Sequence, residues 1–386
     1  MKAIFSKLFV FALCMTVIVS CGKDETESPS NPNTSLNGES NGNNGDNNGG
    51  KNNDENTDAP VVKDIVVTVD DEGKADSGHH FTKIDDTSFY IDDIKYSAQQ
   101  GDLVVTGYNQ AFFNGAANII YTLKYEGRTM SVVQINDEAF KDCPVLTSVL
   151  IPNSVTSIGA VAFYGCSGLT SLTIGNSVTN IGDNAFRGCS GLTSVTVESG
   201  NTVYDSRDNC NAIIRTLDNT LIQGCKNTTI SNSVTSIGDG AFYGCKELIT
   251  INIPSSIIRI GTEAFLGCSG LTSLTLPNSV SNIGFSSFES CTGLTAISLG
   301  EGTTSIGDKA FASCSCLKDV YCYAVAPPQC YSSQPSYRDY VFYDTPILGI
   351  RLHVPPSSFI AYSLADQWKQ FGYIVAMTDE ELARWQ

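Results

Sequence analysis

Seven phenylalanines, Phe140, Phe163, Phe186, Phe242, Phe265, Phe288 and Phe311, mark out near-copies of one block. Five of the six intervals are 23 residues, and the sixth, Phe186 to Phe242, is 56, one period plus a 33-residue variant unit. Each block reads close to N-S-V-T-S-I-G-x-x-A-F-x-G-C-S-G-L-T-S-L-T-I-P. An L-x-x-L-x-L run recurring at such a period is the signature of a leucine-rich repeat. One block cannot bury its own apolar face, so neighbouring copies must do it. The expected fold is a leucine-rich-repeat solenoid of short parallel strands and turns with 23-residue coils, mainly β, closed by a small α-containing C-terminal cap.

Each position in the block has a physical reason to recur. In Leu169–Ile174 the side chains of Leu169, Leu172 and Ile174 are expected inside, with Thr170, Ser171 and Thr173 on the outer face of a short strand. The Ile-Gly pair, as in Ile158-Gly159 and Ile260-Gly261, is read as an apolar knob followed by a residue free to turn. Ala-Phe supplies a stacked aromatic spine. Fourteen cysteines would, if the chain is exported, invite a disulfide framework. Seven of them, however, Cys143, Cys166, Cys189, Cys245, Cys268, Cys291 and Cys314, sit three residues after the repeat Phe. They therefore form one column of the core, where a free thiol acts as a small apolar group. The irregular cysteines, Cys210, Cys225, Cys316, Cys322 and Cys330, lack the paired spacing of a zinc site, and no metal is expected. Asn136 in place of Gly and Ser287 in place of Ala predict looser packing in the first coil and in a late one.

The pattern A-F-x-G-C-S-G-L-T-S-L-T-I-P-N-S-V-T-S-I-G resembles the BspA-type leucine-rich repeats of bacterial surface proteins and extends over 129–320. The variant unit within it, 200–232, resembles an insertion type of that family, as does the ending Leu352–Met377. What the resemblance implies is surface display and macromolecular binding or adhesion, with no catalytic residues to carry over; the expected partner is a host or bacterial surface protein, with a glycan as the alternative.

The flanks are of different character. Lys2 and Lys7 precede an apolar run, Leu8–Ser20, too short for a permanent span, so 1–20 reads as a signal peptide. Ile18-Val19-Ser20-Cys21 resembles a lipobox, which makes Cys21 the lipidated residue and the membrane a partner only through that anchor. Lys23-Asp24-Glu25 resembles an acidic export tag for the outer face of the outer membrane. The rest of 21–60 is rich in Asn, Gly and Ser, a disordered tether by composition. Irregular alternating strands over 61–128 predict an N-terminal cap and first coil. In the C-terminal cap, 321–386, Phe359, Tyr362, Ala365 and Trp368 are expected on one side of a helix, and Thr378 with Glu381 makes a capping box for a last helix, Asp379–Trp385.

Several functions are disfavoured by composition. The formal charge is −17, and near −19 once Lys2 and Lys7 leave with the signal, which repels phosphate backbones; nucleic acid is not an expected partner. Only three histidines, His79, His80 and His353, are available to orient a nucleophile, and no pair of fixed carboxyls is marked on a cleft, so neither an enzyme nor a cofactor is expected. Three surfaces could recognise a partner: the hydroxyl ladder of the strands; the insertion, read as a hairpin with its tip at Leu217-Asp218-Asn219 and with Arg207, Arg215 and Asp218 as contact residues; and an aromatic stretch with Tyr337, Arg338 and Tyr340. The leading expectation is a monomeric, adhesin-like surface lipoprotein, and the alternative is a glycan-capture component of a polysaccharide uptake system.

Overall fold

Alternating apolar and polar residues in each L-x-x-L-x-L run give a strand with one buried face, and the 23-residue period brings the same strand back beside itself. In the computed structural model, which describes residues 65–76, 78–331 and 341–383, Leu172 of the strand Ser171–Ile174 pairs in parallel with Val195 of the next coil and Val149 of the one before. A second parallel ladder runs through the Ser-Ile positions: Ile158 pairs with Ile181, and beyond the insertion Ile237 with Ile260, Ile260 with Ile283, and Ile283 with Ile306. Cys21, the proposed tether, Tyr337, Arg338, Tyr340 and Trp385 lie outside the described residues.

The interior is built in columns. Phe140, Phe163 and Phe186 stack at centroid distances of 5.2 and 5.3 Å, and Phe242, Phe265, Phe288 and Phe311 at 4.9, 5.2 and 5.4 Å, with planes within 8° of parallel. The cysteine column is buried and its thiols are free. Five of the seven also have a polar task that an apolar reading leaves out. Cys166 Sγ donates to the Phe140 carbonyl at 3.0 Å, Cys189 to Phe163 at 3.2 Å, and Cys268 to Phe242 at 3.1 Å. Cysteine thus fills a small apolar niche while satisfying a buried carbonyl of the preceding coil.

Three expectations need correction. The glycine after Ile does not turn the chain: none of Gly159, Gly182, Gly238, Gly261, Gly284 and Gly307 has positive φ. It is required because coils approach closely there, and a Cβ on Gly159 would stand 2.3 Å from the Asp137 nitrogen of the preceding coil. The turn glycine is instead the one before Cys, as at Gly165 with φ 72°. Nor is packing loose at the two departures. Ser287 is fully buried, Phe288 stacks as tightly as its neighbours, and what the serine costs is a buried hydroxyl without a partner. Asn136 meets the cap strand Asp102–Tyr108, donating its backbone N–H to the Val105 carbonyl at 2.9 Å, rather than a preceding repeat.

Both ends are sealed. Phe81–Lys83, Ser88–Ile91, Ile94–Gln99 and Asp102–Tyr108 form an antiparallel meander whose last strand pairs in parallel with Arg128–Ile135, and that strand in turn carries Ser157–Ile158. At the other end Arg351–Val354 and Tyr373–Ala376 continue the first ladder, and Phe342 extends the spine from Phe311 at 5.4 Å. The expected helix face is shorter than its pattern. The helix Phe359–Leu364 stops where Ala365 turns extended, so Tyr362 and Trp368 are buried from separate turns and Phe359 is 40% exposed. The capping box forms as expected, with Thr378 N donating to Glu381 Oε2 at 2.8 Å and Glu381 N to Thr378 Oγ1 at 3.2 Å. Among the described residues no helix is long and apolar enough to cross a membrane.

Candidate binding cleft at the insertion

The variant unit breaks both ladders. Tyr204–Asp205 pairs antiparallel with Ile213–Arg215, which pairs antiparallel with Thr220–Gln223, and only then does the parallel ladder resume at Ser236–Ile237. The hairpin turn is made by Asn219 at φ 53° and by Asp218, whose Oδ1 accepts from the Thr220 N–H at 3.3 Å. A bulge between Ile213 and Ile214 lets both be buried: Ile213 packs into the core on the N-terminal side of the insertion, Ile214 into the core on the C-terminal side. Gly224 occupies the place against Phe242 where a ring would stack; a Cβ there would lie 2.2 Å from Cε1 of that ring.

On the outer surface this break opens a cleft of about 550 Å³. One wall is the turn Ile181–Asn184, the others are Arg215, Asp218, Thr220 and Ile222 of the hairpin and Ser236, Gly238, Asp239 and Arg259 of the coils that follow. The residues singled out in the hairpin divide by role. Arg215 and Asp218 stand on the cleft wall, joined by two hydrogen bonds of 3.0 and 2.6 Å, and the guanidinium holds the Asp218 carboxyl below the usual carboxylate range. Arg207 does not reach it. Its guanidinium is held by Asp205 at 2.7–3.0 Å, Asn219 Oδ1 at 2.8 Å and Ser233 Oγ at 3.3 Å, so it stitches the base of the hairpin. At the tip Leu217 is 89% exposed.

The hydroxyl ladder is also a structural device. Thr170 Oγ1 donates to the Thr147 carbonyl at 2.9 Å, Thr193 to Thr170 at 3.1 Å and Thr295 to Thr272 at 2.9 Å, each bonding the preceding coil.

The chain matches the model of the BspA-type leucine-rich repeat region, in six copies, over residues 113–218 and 216–326, more than half its length. The chain belongs to the BspA-type leucine-rich-repeat family. This BspA-type chain is also similar in fold to a leucine-rich-repeat protein from Bacteroides ovatus, with 23% identity over 75% of this chain and 76% of that one and a TM-score of 0.49. A leucine-rich cell surface protein from Faecalibacterium prausnitzii is 19% identical over 78% of this chain and 98% of its own, with a TM-score of 0.37. Among curated proteins none matches the sequence.

Residues that sequence reasoning passed over complete the BspA-type cleft: Asp183, Asn184, Asp239 and Arg259. Asp183 occupies the repeat position of Asp137 and Asp239, three before the Phe. Asp137 Oδ1 accepts from the Ala160 N–H at 2.7 Å and Asp239 Oδ1 from the Thr262 N–H at 2.8 Å, each 23 residues on. At 23 residues beyond Asp183 stands Ser206, inside the insertion, where its hydroxyl serves Val197 and Ala212 instead. The Asp183 carboxylate is therefore exposed, with no partner among the described residues. The irregular 56-residue interval was the signal that could have pointed to it. The coil before an interruption loses the neighbour its turn residues serve.

Proposed function

We propose that this BspA-type protein is a non-catalytic outer-membrane lipoprotein, exposed on the cell surface and anchored through Cys21, that binds host or bacterial macromolecules in the manner of an adhesin. What carries the reading is the insertion. In the regular coils Thr170 bonds the coil before it and Asp137 and Asp239 bond the coil after, whereas at the insertion Asp183, Asn184 and the Arg215–Asp218 pair face a cleft beside an exposed tip. Membership of a family of cell-surface repeat proteins supports the location. The lipobox-like Ile18–Cys21 and the acidic run after it support the anchor and the leaflet.

The test has two parts. In cells fed a radiolabelled fatty acid, the wild-type chain is expected to carry label and partition into detergent, and Cys21→Ala to do neither. Protease added to intact cells is expected to cut the surface-exposed chain, and full protection would place it on the inner leaflet. Binding is then read by flow cytometry with the purified full chain on host epithelial cells and on other bacteria. An absence of binding to every cell type would overturn the adhesin-like reading even if lipidation held.

A further inference from the structure

We propose that the cleft at the insertion is a binding site for a short segment of uncharged glycan, two or three sugar rings long. The inference rests on the surface-binding reading above and names the ligand class for that same site. The cleft of about 550 Å³ falls within the size range of small-molecule sites. Its lining is polar on every wall, with Ile181 and Ile222 as the apolar contribution, both part-exposed. That composition argues against a protein anchor, because interface hot spots are deep, fully desolvated pockets for Trp, Tyr or Arg.

The arrangement of polar groups matches a polyol. Vicinal hydroxyls of a sugar both donate and accept at short, fixed spacing, so a complementary surface must alternate acceptors with donors. Here the unpartnered Asp183 carboxylate accepts, the Asn184 amide and the Thr220 and Ser236 hydroxyls do both, and Arg215 and Arg259 retain N–H groups beyond those given to Asp218 and Asp239. Ile181 and Ile222 offer the C–H face of a ring its contact. Three carboxylates, Asp183, Asp218 and Asp239, against two guanidiniums leave the cleft near neutrality. With Arg215 and Arg259 already paired to Asp218 and Asp239, an anionic polymer meets the unpaired Asp183 carboxylate on a chain of formal charge −17.

The repeat supplies its own control. Asp137 and Asp183 are the same residue at the same repeat position, one bonded to the next coil and one not. The full chain is applied to an array of neutral oligosaccharides of two to six units (glucans, mannans, galactans and arabinoxylans) beside sulfated and uronic-acid glycans and basic peptides. At least one neutral series is expected to be retained. Asp183→Ala should weaken that retention at least tenfold with an unchanged melting temperature, because a carboxylate hydrogen bond to ligand is lost and none to protein. Asp137→Ala should lower the melting temperature and leave retention within twofold. The inference is overturned if no neutral glycan is retained, if only charged glycans or peptides are, or if Asp183→Ala and Arg259→Ala both bind as the wild type does. Should the chain still bind cells while ignoring every neutral glycan, the ligand class is wrong and the surface-binding reading stands. Should it bind neither, both fall.

Discussion

Cysteine is the residue in this chain whose role is easiest to mistake. In the repeat column burial pushes the thiols of Cys245 and Cys314 up to about 12, and all seven thiols are free, five of them donating to phenylalanine carbonyls. Thiolate, the form that reacts, is therefore scarce at neutral pH in Cys245 and Cys314, and burial shields the whole column from reagent. Cys316, two residues from the end of that column, is exposed. Iodoacetamide at pH 8 is expected to modify Cys316 within minutes and the half-buried Cys330 more slowly, with Cys143, Cys166, Cys189, Cys245, Cys268, Cys291 and Cys314 modified only after denaturation. Peptide mass spectrometry reads this directly. Fast modification of Cys268 in the native chain would mean that the column does not face the core.

Between neighbouring coils, the closeness of backbone to backbone sets the tolerance to change. Gly159 is held against the nitrogen of Asp137 and the carbonyl carbon of Asn136, so a methyl group there must push two coils apart. Gly349, in the cap turn Ile347–Gly349, has nothing within 4 Å of where its Cβ would be. Gly159→Ala is expected to cost about 1–3 kcal/mol, the usual range for overpacking, and Gly349→Ala less than about 0.5 kcal/mol. Urea titration followed by circular dichroism distinguishes them. Equal midpoints for the two variants would show that the coils can separate freely at the Ile-Gly contact.

Across the whole solenoid, the insertion separates two buried cores. One runs from the N-terminal cap through Phe140, Phe163 and Phe186 to Tyr204 and Ile213; the other from Cys210 and Ile214 through Phe242 and Phe311 to Trp368 and Phe371. Coils influence one another through neighbours, so damage should stay on its own side of the interruption. Phe265→Ala removes one ring from the longer stack and is expected to cost about 3–5 kcal/mol. In native-state hydrogen exchange the amides of 236–320 should lose protection while those of 139–197 keep theirs. Loss of protection of equal size on both sides would show that the two cores unfold as one. Arg187 crosses the break, stacking over the Tyr243 ring at 4.2 Å and pairing with Glu263, so Arg187→Ala should sharpen the separation.

The repeating part of this molecule is legible residue by residue: the inward Leu169, Leu172 and Ile174, the phenylalanine spine, the buried thiols and the hairpin at 213–223 are all read from spacing. They are legible because a coil inside a solenoid meets copies of itself, so the environment of each position is written in the next block of the same chain. The glycine after Ile was misread because its reason lies in the 2.3 Å that would separate an added Cβ from another coil, a distance that no local pattern encodes. The cleft escaped notice for the same cause. Asp183 looks like Asp137 and Asp239 in sequence, and it differs only because the coil it would have served has been replaced by a hairpin. Where the chain meets a copy, periodicity decides which groups are satisfied; where it meets the insertion, closure in three dimensions decides which are left over, and those leftover groups form the site.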